Sequence, residues 1–280
     1  MGGLIWLASY PKSGNTWMRS FLHNLLTNAQ EPVPINELDR FCLGESGGGG
    51  YAHLSGKPYD EIPPEEVARL RPLVHREFTR ASPDSVFVKT HNYMGTWFDQ
   101  PLHNMEVTVG AIYILRNPLD VVLSVMNHYN MTLEEAIVRL ETVGVGTETA
   151  NGHVPEVHSS WSHHVASWTA HPNPQLLVLR YEDMLEKPQI YFKKAVQFLG
   201  LNPPQERIDR AIKFSSFKEL KAQEEKGGFR ERPEKAKTAF FREGRTEQWR
   251  EQLTPEQVRR IINAHREQMQ RFRYIPKDYA

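Results

Sequence analysis

Tyr10-Pro11-Lys12-Ser13-Gly14-Asn15-Thr16-Trp17 lies where a short apolar run, residues 5–9, meets a segment with apolar residues at helical spacing (Met18, Phe21, Leu22, Leu25). A strand-to-helix turn of this kind aims successive backbone N–H groups, and the positive end of the helix dipole, at one spot. That arrangement suits an anion, and Lys12 adds a charge able to reach its oxygens. The chemistry implied is the holding of a phosphate-like group. The common nucleotide-triphosphate loop places its Lys after a second Gly and follows it with Ser or Thr for magnesium; here Lys12 precedes Gly14 and the loop has no earlier glycine. That pattern is not met.

Other residues of chemical interest stand at the ends of apolar runs. His91 closes Val88-Lys89-Thr90-His91, and a histidine with an unperturbed pKa of about 6.5 can take a hydroxyl proton near neutrality. Arg116 follows the run 111–115, and with Ser124 it offers an anion a planar guanidinium fork backed by a hydroxyl. Asp120 lies between them, so a capping cluster is the competing reading. His158, His163, His164 and His171, with Trp161 and Trp168, contain no pair at the i, i+4 spacing of a helical zinc site. They read as a helix surface that could touch an acceptor. The single cysteine, Cys42, permits no internal disulfide and no metal knuckle, and no metal site is expected.

These residues need a scaffold of alternating strands and helices. Residues 86–89, 111–115 and 176–179 are continuous apolar runs, the pattern of strands covered on both faces of a parallel sheet. Pro118 opens a helical stretch with a stripe of Val121, Val122, Val125 and Met126. Thr132-Leu-Glu-Glu resembles a capping box, and further helices are expected over 157–170, 189–199 before Gly200, and 255–272. Residues 29–66, with the run Gly47 to Gly50 and several prolines, read as an irregular, mobile excursion of the lid or binding-loop kind. Residues 221–238 read as a flexible loop too polar to pack. The alternation favours a single α/β domain over residues 1–280.

Composition sets outer bounds. With 34 Lys+Arg against 34 Asp+Glu the formal charge is zero, which lacks the basic excess of a nucleic-acid binder. No apolar run approaches the roughly 20 residues that cross a bilayer, so no membrane partner is expected. The start, MGGLIWLASYPK, lacks the features of a secretory signal, so the mature chain is expected to begin there and cytoplasm is the default location.

Taken in order, these segments resemble the PAPS-dependent sulfotransferases (PAPS, 3′-phosphoadenosine 5′-phosphosulfate) of the cytosolic and short bacterial small-molecule branch. The family's phosphosulfate loop reads Tyr-Pro-Lys-Ser-Gly-Thr-Thr-Trp with small changes; Asn15 stands where many members have Thr. Lys89-Thr90-His91 resembles the family's Lys-Thr-His, residues 113–124 its 3′-phosphate segment, and Tyr181-Glu182-Asp183-Met184 its Tyr-Glu-Asp motif. Ser215-Ser216-Phe217 resembles the adenine-side segment, and Phe241-Arg242-Glu243-Gly244 through Trp249 the Arg-Lys-Gly…Trp region, with Glu243 for a frequent lysine and Gln248 for the usual Asp.

The resemblance implies a P-loop-like three-layer fold with a central parallel sheet flanked by helices and mobile acceptor-site loops. It implies PAPS as co-substrate, PAP (3′-phosphoadenosine 5′-phosphate) as product, no metal, and a small-molecule or natural-product hydroxyl as acceptor. Lys12, Ser13, Gly14, Asn15 and Thr16 would cradle the phosphosulfate, and Arg116, Ser124, Arg242 and Gly244 the 3′-phosphate. Trp17, Phe217, Tyr181 and Ser215 would surround the adenine. His91 would be the general base, with Lys12, Lys89 and Ser124 assisting the transfer. Glu243 would turn away from the phosphate, with Arg245 offsetting its charge. Loops near 41–60, 92–104 and 142–157 would roof an acceptor pocket, with Tyr51, Tyr93, Trp97 and Phe98 as candidate lining. The family's dimerisation motif is not reproduced near Thr254-Pro255, which leaves the oligomeric state open. A nucleotide-dependent kinase or phosphotransferase, and a PAPS-binding module without catalysis, are the alternatives.

Overall fold

A computed structural model describes residues 2–233, 236 and 238–280. Contacts group them into a first unit, residues up to 10, 42–113 and 142–178, and a second, residues 11–41, 114–141 and 179–280. In chain order the elements begin β1 (Leu4–Ser9), α1 (Asn15–Leu26), α2 (Leu38–Phe41), β2 (Cys42–Gly44), α3 (Gly48–Ser55), α4 (Pro64–Phe78) and β3 (Val86–Thr90). There follow β4 (Thr96–Trp97), β5 (Gln100–Pro101), β6 (Thr108–Leu115), α5 (Pro118–Tyr129), α6 (Leu133–Glu141), α7 (Trp161–Thr169) and β7 (Leu176–Arg180). The chain ends with α8 (Tyr181–Glu186), α9 (Pro188–Phe198), α10 (Gln205–Phe214), α11 (Phe217–Gly227), α12 (Trp249–Gln252) and α13 (Pro255–Arg271).

The fold is α/β, with a central parallel sheet in the order β2-β3-β1-β6-β7. Its strands are apolar on both faces: in β1, Leu4, Trp6, Leu7 and Ala8 are all buried. β1 and β3 run parallel, Leu4 opposite Val86 through Ala8 opposite Thr90, and β2 joins β3 with Gly44 opposite Lys89. Strand order reverses at β1, whose partners β3 and β6 are later strands on its two sides; binding crevices in open parallel sheets form at the carboxyl ends beside such a point.

In the first unit, α4 meets the sheet where His75 packs edge-on against Trp6 at 4.9 Å, and α7 meets it where Trp168 stacks on Tyr113 at 5.8 Å. In the second unit, Phe21 of α1 packs on Phe192 of α9 at 4.3 Å, and Arg260 of α13 pairs with Glu134 and Glu141 of α6. Local signals set several helix starts. Asn117 caps α5 ahead of Pro118, Thr132 and Glu135 form the expected capping box of α6, and Thr254 with Gln257 forms another at α13.

Three expectations are corrected. Residues 29–66 are not an irregular excursion, since they hold α2, β2, α3 and the start of α4. Tyr51, Ile62, Val67 and Val74 anchor this stretch in a core cluster with Val154, and such packing outweighs the low helix propensity of a glycine run. Gly48 is needed there for close approach: a Cβ at that position would lie 2.7 Å from the Tyr59 side chain. The helix expected over 157–170 begins only at Trp161, because Ser160 caps it by accepting from the His163 N–H at 3.2 Å. Residues 221–227 are helical rather than loop, and Phe229 beyond them is buried with Ile35, Leu220 and Phe241. Glu234, Lys235 and Lys237 lie outside the described residues.

Candidate active site

In the second unit the chain after Tyr10 turns through two left-handed residues, Lys12 at φ 69° and Gly14 at φ 110°. Gly14 has a second reason to be glycine, since a Cβ would lie 2.8 Å from the Tyr181 ring. Trp17 N–H and Met18 N–H donate to the Gly14 carbonyl, and no side chain caps α1. An uncapped helix start is where an anion satisfies first-turn donors. Two buried donors in the same stretch have no hydrogen-bond partner, the Ser13 hydroxyl and the Trp17 indole N–H. A bound group with several acceptor oxygens fits a loop that leaves donors in this state.

The cations gather around the loop. Arg116 donates to the Lys12 carbonyl at 3.2 Å, with its guanidinium 4.5 Å from the Tyr181 ring centre. The pKa of Arg242 is lowered by burial and, in the same direction, by the charge of Arg116, with Glu243 pulling the other way. Two guanidinium groups that repel one another mark a place where an anion is favoured. The Lys12 ammonium lies 3.3 Å from His128 Nδ1 and 3.4 Å from the Phe240 ring centre. Lys12, Ser124, His128, Arg232, Phe240 and Arg242 line one pocket.

Neighbouring side chains take defined duties. Asp120 does not tie up the Arg116–Ser124 segment as a cap alone, since its oxygens accept from Glu247 N–H at 2.8 Å and Trp249 N–H at 3.2 Å. Glu243 accepts from Arg245 at 2.5 Å, and Arg245 also holds Glu251 with two bonds. Arg245 is thus committed to carboxylates. Trp17 stands edge-on to Tyr181 at 5.7 Å, and Gly244, at φ 61°, brings the backbone so close to Phe217 that a Cβ would lie 2.3 Å from its ring. Ser215 is fully buried and donates back to the Ala211 carbonyl at 2.9 Å, a less open placement than its neighbours have. Thr16 is buried at the first turn of α1 beside Asn15.

In the first unit, Lys89 stands near the end of β3 and His91 follows its last residue, Thr90. His91 Nδ1 lies 2.8 Å from the Ser9 carbonyl, which can only accept, so Nδ1 carries the proton and Nε2 keeps its lone pair. Burial, then the charge of Lys89, pushes the His91 pKa down to about 3, against a smaller opposing pull from Glu156. The ring is neutral at pH 7 and acts as an acceptor. Glu156 stays ionised: burial would raise its pKa, but the His158 contact and the Lys89 charge outweigh that and hold it well below the usual range.

His91 rests on a buried polar network that sequence reading did not find. His164, fully buried, donates from Nε2 to the His91 carbonyl at 3.2 Å and accepts from the Tyr113 hydroxyl at 2.8 Å. The helix-surface reading of the histidine cluster is therefore corrected for His164 and for His158, which is 1% exposed. Asn92 donates to the buried Glu45 carboxylate at 2.6 Å and accepts from Val157 N–H, while Glu45 pairs with the fully buried Arg71. No spacing rule links residues 45, 71, 92 and 164; only the sheet brings them together. Tyr51, a candidate for the pocket lining, belongs instead to the core with Trp97 against it, whereas Phe98 is 46% exposed. Among the described residues no group of His, Cys, Asp or Glu side chains could hold a metal ion.

A family model for the sulfotransferase domain matches residues 4–273. The chain belongs to the sulfotransferase family. This sulfotransferase is 30% identical to Sulfotransferase 1A1 of Rattus norvegicus over 220 residues, covering 77% of the chain and 66% of the rat enzyme. It is 25% identical to flavonol 3-sulfotransferase of Flaveria bidentis over 269 residues, covering 92% of the chain and 78% of that enzyme. Its fold matches mouse sulfotransferase SULT7A1 complexed with PAP at a TM-score of 0.64 and 22% identity, over 95% of this chain and 84% of that one. It also matches retinol dehydratase in complex with androsterone and inactive cofactor PAP at 0.65 and 18% identity, over 95% and 80%. No helix is long and apolar enough to cross a membrane among the described residues.

Proposed function

We propose that this sulfotransferase uses PAPS to sulfate a hydroxyl of a small-molecule acceptor in the cytoplasm, with His91 as general base. The observation that carries the reading is the loop at residues 12–14, where left-handed backbone, an unpartnered Ser13 hydroxyl and the mutually repelling Arg116 and Arg242 occur in one unit. PAPS carries two separate anionic groups on an adenosine, and the residues present fit both. Lys12, Ser13, Gly14, Asn15 and Thr16 would hold the 5′ phosphosulfate, Arg116, Ser124, Arg242 and the Gly244 amide the 3′-phosphate, and Trp17, Tyr181, Phe217 and Ser215 the adenine.

When bound, PAPS supplies a sulfuryl group already activated on a phosphate leaving group. His91 Nε2 takes the acceptor's proton as its oxygen attacks in line, and the resulting imidazolium keeps its Nδ1–H on the Ser9 carbonyl. Lys12 and Lys89 offset negative charge that develops during the transfer, and Ser124 contributes a hydroxyl. With its pKa lowered to about 3 the free ring is unprotonated at pH 7 but a weak base, so the proton transfer is coupled to the attack on sulfur rather than preceding it.

Calorimetry with PAP, AMP and ATP, without added metal, tests the nucleotide half of this reading. PAP is expected to bind at least tenfold tighter than AMP, because a 3′-phosphate between two guanidinium groups forms charge-assisted hydrogen bonds worth about 1.5–3 kcal/mol. Equal affinities, or magnesium-dependent preference for ATP, would overturn it.

A further inference from the structure

We infer that Glu224 is a positioning residue for the 3′-phosphate site: its buried carboxylate clamps two consecutive backbone amides and so fixes where Arg242 points. This rests on the proposed role of Arg242 and deepens it. Glu224 is 6% exposed, yet its oxygens accept from Phe240 N–H at 2.7 Å and Phe241 N–H at 2.8 Å, one amide to each oxygen. A carboxylate spending both oxygens on main-chain donors acts on backbone position rather than on charge balance.

The same helix holds the far side of the segment. Phe217 lies seven residues before Glu224 on α11, two turns or about 10 Å along one face. Gly244, in a left-handed conformation, packs so tightly on the Phe217 ring that no side chain could be added there. Residues 240–244 are therefore gripped at one end by Glu224 and at the other by Phe217, with Arg242 between the grips. Packing of Phe229 against Phe240 and Phe241, at 4.9 and 5.6 Å, supports the first grip from outside. The like charge of Arg116 beside Arg242 gives such a clamp a purpose, since holding the backbone beneath Arg242 keeps its guanidinium in place before an anion binds.

Glu224→Gln keeps the shape of the side chain but turns one acceptor into a donor facing an N–H. Calorimetry on the full chain is expected to show PAP affinity falling on the order of tenfold while AMP affinity, which needs no 3′-phosphate contact, stays unchanged. In an Arg242→Ala background the same substitution is expected to add no further loss of PAP affinity. Unchanged PAP affinity in Glu224→Gln, equal weakening of PAP and AMP, or full additivity with Arg242→Ala would overturn the inference. Arg242→Ala alone separates the two layers: if it leaves PAP affinity intact, the reading of Arg242 fails first. If it weakens PAP while Glu224→Gln does not, only the positioning role fails.

Discussion

The loop at residues 12–17 and the end of β3, the two halves of the proposed reaction, hold their polar groups differently. Around Lys12 the structure leaves work undone: Ser13 and Trp17 keep buried donors without partners, and Arg116 and Arg242 repel each other. Around His91 the ring and its backbone are already held, the ring by the Ser9 carbonyl and the backbone by His164, which accepts from Tyr113, while the next residue, Asn92, donates to Glu45, the partner of Arg71. The proposed roles of the two regions account for the difference. A site for an anion must arrive with donors and charge in surplus, and binding completes it. A base works best when held in one tautomer and one orientation before the acceptor arrives, and the Ser9 and His164 contacts would do that for His91 in its proposed role.

Substitutions sharpen this contrast. His91→Ala is expected to lower kcat by roughly a hundredfold to ten-thousandfold, the usual contribution of a general base, while PAP affinity measured by calorimetry stays within a factor of two. Loss of PAP affinity in parallel would mean that His91 belongs to the surplus side. Glu45→Ala, which strands the buried Arg71 guanidinium and the Asn92 amide, is expected to cost about 3–5 kcal/mol of unfolding free energy in urea titrations. Were its cost below about 1 kcal/mol, the network would not be the rigid support described. Acid supplies a gentler probe.

Burial holds His91 and His103 at about 3 and His265 at about 4, below the value of about 6.5 of an unfolded chain. Between those values the unfolded chain binds more protons than the folded one, so the contribution of neutral burial is fully present above about pH 6.5. It is lost progressively as pH falls toward 4 and then 3. Unfolding free energy measured at pH 6.5, 5.5 and 4.5 is expected to decline, and His103→Gln to make that decline shallower by up to about one proton. An unchanged slope would show that His103 is not held neutral by the fold.

Much of the candidate site could be read along the chain because its parts are local. Residues 10–17 form one turn between a strand and a helix, Lys89 and His91 lie about the end of one strand, and Arg116 and Ser124 belong to one strand-to-helix passage; short-range backbone geometry determines each, and residue types at fixed spacing report it. The glycine run at 47–50 and the charged stretch at 221–227 misled for a shared reason. Their composition describes an isolated chain, whereas Tyr51 and Glu224 are anchored by partners far away in sequence.

By itself, then, the sequence determined the alternation of strands and helices, the candidate phosphate loop and the strand ends that carry the candidate site residues. Periodicity and turn chemistry act over a few residues, within the reach of local sterics and hydrogen bonding. Tertiary structure alone decided which proton His91 carries, that His164 supports it from beneath, and that Glu45 and Glu224 serve as buried anchors. Those outcomes depend on which groups are removed from water together, and burial is a property of the assembled chain.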